Sequence, residues 1–199
     1  MPRLWTETVE THRHEVREAI LDATSRLVQS RGLLAVTMSD IADATGIGRA
    51  TLYKYFPDVE TILNAWHQRH VEAHLEELRR IEQRTADPVT RLQAVLRRYA
   101  DICRKRRRHG DDELAAVLHR STQFRKSQRQ LDDLISTLVA EAAAAGAVRQ
   151  DVPAEELARY CLHALAAAGN SSTTAIDRLL DVVWTGITST PSTQTDGGA

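Results

Sequence analysis

The segment from Thr37 to Phe56, TMSDIADATGIGRATLYKYF, decides the fold of this chain. Ala42 is small enough to let two short helices cross closely, because a larger side chain at that point would hold them apart. Gly46, four residues later, can adopt the left-handed backbone conformation that a sharp turn between helices needs. Leu52 is placed to point from the second helix back into a small core. The segment therefore predicts a helix-turn-helix, whose apolar side is completed by Ile41, Ile47 and Phe56.

The ends of both short helices are also marked in the sequence. Thr37 and Asp40 have the spacing of a capping box, which predicts Thr37 as the N-cap of the first helix. Gly48 is the predicted N-cap of the second helix, and it offers no side-chain oxygen to the cap. Pro57 disfavours helical backbone at Phe56 and so ends the unit.

The second short helix carries side chains that suit DNA. A recognition helix enters the major groove with its N-terminal residues facing the base edges. Arg49 can pair with O6 and N7 of guanine, and Ala50 and the methyl group of Thr51 suit the methyl group of thymine. The residues suited to donate to phosphate oxygens are Tyr53, Lys54 and Tyr55. The alternative to a recognition helix is an ordinary helical hairpin with polar surface residues.

From about Arg17 to about Glu60 the chain resembles the tetracycline-repressor-like (TetR) family, through REAILDATSRLVQSRG and TMSDIADATGIGRATLYKYFP. The resemblance implies an all-α fold of about nine helices. It implies an N-terminal three-helix helix-turn-helix DNA-binding domain, joined by a long helix to a C-terminal helical effector-binding and dimerisation domain. It also implies a homodimeric repressor that binds double-stranded operator DNA. The DNA-contacting positions implied are Thr37, Gly48, Arg49, Ala50, Thr51, Tyr53, Lys54 and Tyr55.

Two residues depart from the family pattern. Gly48 stands where a serine commonly caps the recognition helix and touches phosphate, and Val59 stands where a lysine commonly pairs with phosphate. Both departures remove a contact to the DNA backbone and leave the base-reading face intact. We therefore expect weaker non-specific binding than is usual for the family.

Composition and charge limit the other function classes. The 199 residues suffice for one small and one medium domain, and the net charge is −1. Residues 1–60 hold seven Lys/Arg and nine Asp/Glu, so DNA binding must depend on local charge and be sensitive to salt. Cys103 and Cys161 form no CxxC pair, and the chain has neither a signal-like start nor a membrane-length apolar run. We expect a cytoplasmic protein without membrane contact.

The sequence shows no Ser/His/Asp constellation, phosphate-binding glycine loop or convincing metal motif. We therefore expect no enzymatic activity and no cofactor. The alternative is a helical enzyme or small-molecule-binding protein whose helix-turn-helix is not functional.

The rest of the chain is predicted as amphipathic helices, because its apolar residues recur at helical spacing without strand alternation. We expect residues 1–57 to form the DNA-binding domain, 58–188 the ligand-binding and dimerisation domain, and 189–199 a disordered tail. The predicted helices outside the helix-turn-helix span approximately 12–31, 58–85, 88–108, 112–122, 126–145, 157–168 and 176–187.

The last two helices carry the same apolar pattern, which either packs within one chain or pairs with a second copy as a four-helix bundle. The family resemblance and the two-fold logic of operator binding favour the dimer. The residues assigned to that dimer interface are Leu157, Tyr160, Cys161, Ala164, Leu165, Ala168, Ile176, Leu179, Leu180, Val183, Trp184 and Ile187.

A cavity for an unidentified small-molecule effector is expected among the helices that follow the helix-turn-helix, by family resemblance. Apolar walls with a few polar groups suit such a ligand, whereas plain core packing explains each of these residues equally well. The candidates are Trp66, His70, Tyr99, Cys103, Phe124, Leu134, Leu138, Tyr160 and His163.

Two charged or titratable clusters leave alternatives open. The cations Arg104–Arg108 are either a solvated helix end or a supplementary phosphate contact. His67, His70 and His74 share one helix face, which suits a pocket wall or surface better than a metal site or a pH-sensitive patch.

Overall fold

The computed structural model describes the backbone of residues 3–32, 35–107, 122–169 and 171–188, and the side chains of 9–32, 35–105, 125–169 and 171–188. Within these residues the fold is all-α, and the sole β-type pairing is one antiparallel bridge between Val148 and Thr188. The all-α prediction is confirmed. The predicted helix at 112–122, except for its last residue, and the predicted tail at 189–199 lie outside the described residues. The eight described helices are α1 (Arg3–Arg31), α2 (Met38–Thr45), α3 (Arg49–Tyr55), α4 (Val59–Arg84), α5 (Pro88–Arg107), α6 (Thr122–Ala144), α7 (Ala154–Ala166) and α8 (Thr173–Ile187).

Helix α1 begins at Arg3, nine residues before the predicted start near His12. The side chains of residues 9–15 are all exposed, so this part of α1 buries no apolar face. A prediction that depends on apolar periodicity has no signal to detect there. Residues 9–15 are therefore helical without packing their side chains against a core.

Local signals fix the starts of α4 and α5 where the sequence placed them, whereas α6, α7 and α8 begin three or four residues before their predicted starts. The Asp87 carboxylate accepts a hydrogen bond from the Thr90 backbone N–H at 2.8 Å, and Pro88 occupies the first helical position of α5. The Asp58 carboxylate accepts one from the Thr61 N–H at 2.7 Å at the start of α4. Each carboxylate satisfies a backbone donor that the helix itself leaves open.

The chain divides into two compact units. The N-terminal unit contains the residues up to Ala73, and the C-terminal unit contains residues 74–107 and those from Arg125 onward. The predicted domain boundary after residue 57 falls inside the N-terminal unit, because the first half of α4 packs against its core. That core consists of Ile20, Leu21, Val28, Val36, Ile41, Ala42, Leu52, Phe56, Ile62, Leu63 and Trp66.

The C-terminal unit has a separate core, in which α5 packs against α7 and α8. Fully buried side chains from four helices meet there, including Leu92, Leu138, Leu165 and Ile176. Three ion pairs tie α5 to its neighbours around this core. They join Arg98 to Glu77 of α4 at 2.6 Å, Arg91 to Glu141 of α6 at 2.7 Å, and Arg97 to Asp177 of α8 at 2.5 Å.

Candidate nucleic-acid interface

The turn between α2 and α3 has the predicted left-handed geometry. Gly46 has φ +71° and ψ 12°, and its backbone N–H donates to the Ala42 carbonyl oxygen at 3.0 Å. Ala42 is 4 % exposed, which allows the close crossing of the two helices. The turn therefore presents the start of α3 at a fixed angle to α2.

A complete capping box holds the start of α2. The Asp40 backbone N–H donates to Thr37 Oγ1 at 3.2 Å, and the Thr37 backbone N–H donates to Asp40 Oδ2 at 3.0 Å. The Thr37 hydroxyl also donates to Asp40 Oδ2 at 2.5 Å. These hydrogen bonds from Thr37, together with the nearby Arg31 guanidinium, lower the pKa of the Asp40 carboxyl. Thr37 is exposed, but its hydroxyl is already engaged in the cap.

Helix α3 exposes one face and buries the other. Leu52 is fully buried, whereas the next residue, Tyr53, is 54 % exposed. Phe56, the C-cap of α3, is 1 % exposed and anchors the end of the helix in the core. Gly48 caps α3 without a side-chain hydrogen bond, as predicted. The other predicted DNA contacts divide into Arg49, Ala50, Thr51 and Lys54, which are exposed, and Tyr55, which is half-buried.

Ion pairs within the N-terminal unit neutralise acidic residues away from α3. Arg69 of α4 binds Glu18 and Asp22 of α1, both at 2.8 Å. No ion pair among the described residues involves Arg49 or Lys54 of α3. The slight acidic excess of this region is therefore not distributed evenly, and α3 keeps uncompensated positive charge.

The predicted dimer residues do not all lie on one surface. Seven of them are buried inside the single chain, so the alternative of packing within one chain applies to these. They are Leu157, Cys161, Leu165, Ala168, Ile176, Val183 and Ile187. Tyr160 is 43 % exposed, and the remaining four, Ala164, Leu179, Leu180 and Trp184, are partly exposed. Of the twelve predicted residues, a second copy could therefore touch only these five without unpacking the chain.

Val182 is an apolar surface residue that the apolar pattern of α8 does not include. It is 62 % exposed on α8, one turn after the partly exposed Leu179 and one turn before the exposed Gly186. The Tyr160 ring of α7 lies over Gly186, since a Cβ there would stand 2.9 Å from the Tyr160 hydroxyl oxygen. The repeated apolar pattern marks the side of α8 that faces the core. In the sequence, the single signal for the exposed apolar face of α8 is Val182, which lies outside that pattern.

The nine predicted effector residues are divided between the two units. Trp66 and His70 belong to the N-terminal unit, where their rings lie 4.6 Å apart, centroid to centroid. In the C-terminal unit Tyr160 and His163 are exposed, and their assignment to the effector cavity stays a prediction. The side chain of Phe124 lies outside the described residues. The remaining four, Tyr99, Cys103, Leu134 and Leu138, are buried or half-buried in the C-terminal unit.

A groove of about 270 Å³ lies elsewhere in the C-terminal unit, between α5 and α8. The Arg97–Asp177 ion pair closes part of its rim, and Leu96, Leu180 and Trp184 form its apolar floor. None of the predicted effector residues lines this groove.

The two remaining clusters gain no specific role. Among the residues that the structure describes, no group of His, Cys, Asp or Glu is arranged to hold a metal ion. His67 is buried, and His70 Nδ1 lies 3.0 Å from the Trp66 carbonyl oxygen. In the Arg104–Arg108 cluster, Arg104 is 3.7 Å from Asp101, and the side chains after Lys105 lie outside the described residues. No helix in the described ranges has the length and apolarity to span a bilayer.

Two family models match the chain over separate segments. The model described as "Bacterial regulatory proteins, tetR family" matches residues 20–66, which contain the helix-turn-helix. The model described as "Transcriptional regulator SbtR-like, C-terminal domain" matches residues 87–189, more than half of the chain.

Individual proteins resemble parts of the chain or its fold. The HTH-type transcriptional activator FasR and the repressor LfrR, both of Mycolicibacterium smegmatis, are each 32% identical over 90 residues. These matches cover 45% of this chain and 41% and 44% of the relatives, so the chain spans less than half the length of either. A TetR-family regulator structure from Pectobacterium atrosepticum has a TM-score of 0.74 at 20% identity, covering 91% of this chain and 98% of that one. At this identity the structural likeness shows the fold alone.

Proposed function

The chain belongs to the TetR family of bacterial transcriptional regulators, and from that premise we propose that it is a repressor that binds a palindromic operator as a homodimer. In this proposal α3 reads the major groove, and a small-molecule effector releases the DNA. The observation that carries it is the division of α3 into a buried anchor, Leu52, and an exposed face that includes Ala50, Tyr53 and Lys54.

The base-reading role falls on the first turn of α3. Arg49, Ala50 and Thr51 are exposed there, and no ion pair among the described residues occupies the Arg49 guanidinium. A guanidinium can pair with guanine through two hydrogen bonds, and each such pair contributes about 1–3 kcal/mol of discrimination. Tyr53 and Lys54 follow on the exposed side, where hydroxyl and ammonium donors suit phosphate oxygens.

Dimerisation would supply the second reading head. One helix-turn-helix covers one half-site, and a two-fold dimer places two heads about 34–36 Å apart along the DNA. The exposed apolar face of α7 and α8 supports this interface, because Tyr160, Leu179 and Val182 leave apolar surface in water. Val182→Glu should therefore shift the protein from dimer to monomer in light scattering, with Thr174→Glu at an exposed polar position of the same helix as control.

The effector class is suggested by a buried donor on α4. The Trp66 indole Nε1 is buried without a hydrogen-bond partner among the described residues. An unsatisfied buried donor costs about 1–3 kcal/mol, so an apolar ligand with a carbonyl or carboxylate oxygen would gain by accepting from it. To lower operator affinity tenfold, the effector must bind the DNA-incompetent state more tightly than the DNA-competent state by about 1.4 kcal/mol.

Selection from a random-sequence duplex library tests DNA binding directly. The wild-type chain should enrich a palindromic sequence, and Arg49→Ala should lose preference at one position of each half-site while retaining binding to phosphate. Arg26→Ala, an exposed cation of α1, serves as the matched control. Enrichment of no sequence, or equal loss in both variants, would refute the role of α3.

A further inference from the structure

Arg17 of α1 is fixed against the end of α3 by an aromatic contact. Its guanidinium carbon Cζ lies 4.6 Å from the centroid of the Phe56 ring. Phe56 is the C-cap of α3 and is almost fully buried, whereas Arg17 remains exposed. One face of the guanidinium therefore rests on a rigid ring, and its N–H edges stay open for another partner.

The charge of Arg17 is not neutralised by the carboxylates close to it in the sequence. Glu18 and Asp22 both pair with Arg69 at 2.8 Å, on the side of α1 that faces α4. Within the described ranges no ion pair includes Arg17. Lys54 stands two residues before Phe56 and likewise has no ion pair there, so two uncompensated cations occur at the end of α3.

Arg13 extends this positive charge by one helical turn. It lies four residues before Arg17, which places it on the same face of α1 and about 6 Å further along the axis. Arg13 is exposed, and none of the ion pairs among the described side chains involves it. Residues 9–15 of α1 are all exposed, so the Arg13 side chain can reach a partner outside the chain.

We propose that Arg17, with Arg13 one turn beyond it, binds the phosphate backbone next to the major groove entered by α3. This inference rests on the proposed DNA-binding function and extends its contact surface to α1. The planar guanidinium presents donors in a geometry that matches phosphate oxygens, and the Phe56 ring holds it in place before DNA arrives. The contact fixes the register of α3 and does not read sequence.

The test is a salt titration of DNA affinity with Arg17→Gln, Arg17→Lys and a matched control. Arg26→Gln makes the same charge change on the same helix, and nine residues at 100° each place Arg26 on the opposite face from Arg17. The probes are the duplex enriched by the wild-type chain and poly(dI–dC) as a non-specific duplex. Fluorescence anisotropy at several salt concentrations gives the slope of log affinity against log salt.

Arg17→Gln should reduce that slope by about 0.9 for each DNA-binding head, on both probes. At 0.1 M salt the same relation gives about an eightfold loss of affinity for each head. Arg17→Lys should keep the wild-type slope because it keeps the charge, and Arg26→Gln should match the wild type. Arg13→Gln should reduce the slope in the same direction as Arg17→Gln.

A purely structural role for Arg17 predicts a different result. Loss of its contact with Phe56 would lower the melting temperature of the free protein and leave the salt slope unchanged. An unchanged slope in Arg17→Gln, while the wild type binds DNA, overturns the inference and leaves the proposed function standing. A wild-type chain that binds neither duplex refutes the proposed function and this inference together.

Discussion

Replacement of Gly46 by alanine isolates the backbone requirement of the helix-turn-helix. Gly46 has φ +71°, a conformation that side chains with a Cβ rarely adopt. No heavy atom lies within 4 Å of a Cβ built at this position, so steric contact with neighbours adds nothing. The left-handed conformation itself costs an alanine about 1–2 kcal/mol. Alanine also lowers the conformational entropy of the unfolded chain, which raises the free energy of unfolding by about 0.4–1 kcal/mol. The net loss of unfolding free energy should be about 1 kcal/mol.

Gly48→Ala is the matched control two residues away. Gly48 has φ −63° and ψ 144°, which alanine adopts without strain, and its Cβ would also meet no atom within 4 Å. Alanine is a poorer N-cap than glycine by several tenths of a kcal/mol, and the unfolded-state gain of about 0.4–1 kcal/mol offsets this. The control should therefore stay close to the wild type. Gly46→Asn should fall between the two, because asparagine tolerates the left-handed region.

Native-state hydrogen exchange of the Phe56 amide measures this difference within the N-terminal unit. That N–H donates to the Leu52 carbonyl oxygen at 3.0 Å and is exposed only when α3 opens. Gly46→Ala should exchange about fivefold faster than the wild type, since 1.4 kcal/mol corresponds to a factor of ten. Equal rates for Gly46→Ala and Gly48→Ala would refute the claim that the left-handed turn determines the stability of this unit.

Three further outcomes are expected. Hydrogen bonds from Thr37 lower the pKa of Asp40 in the folded protein. The capping box therefore contributes fully to the free energy of unfolding above the unfolded-state pKa near 3.8, and this contribution is lost as pH falls through the lower folded-state pKa. Asp40→Asn should flatten this part of a pH titration of stability. Gly186→Ala should displace the Tyr160 hydroxyl, which would otherwise stand 2.9 Å from the new Cβ. If the proposed dimer forms through this face, its dissociation constant should shift, and adding Tyr160→Ala should remove the clash and its effect. Burial raises the pKa of the Cys161 thiol to about 12, so a maleimide should label it in urea but not in the native protein within the same time.

The helix-turn-helix could be predicted almost completely from the sequence. Its capping residues, turn glycine and buried positions all lie within one continuous segment, so short-range rules specify each of them. The structure has the predicted capping box at Thr37 and the predicted left-handed turn at Gly46. The start of α1 at Arg3 escaped prediction because the described side chains of residues 9–15 are exposed and form no apolar stripe.

The apolar pattern of the last two helices shows the limit of the same reasoning. Periodicity identifies which residues of a helix share a face, but it contains no information about what covers that face. Cys161 and Val183 fit the pattern and are buried in their own chain, whereas Val182 lies beside the pattern and is exposed.

The sequence by itself determined the helical class, the family and the residues of the recognition helix, because these depend on neighbours a few positions apart. Only the tertiary structure placed Arg17 over Phe56 and paired Arg69 with the carboxylates of α1. It also distinguished the face of α8 that packs in the core from the face that is exposed. Each of these depends on contacts between residues distant in the chain, and such contacts arise only when the helices pack.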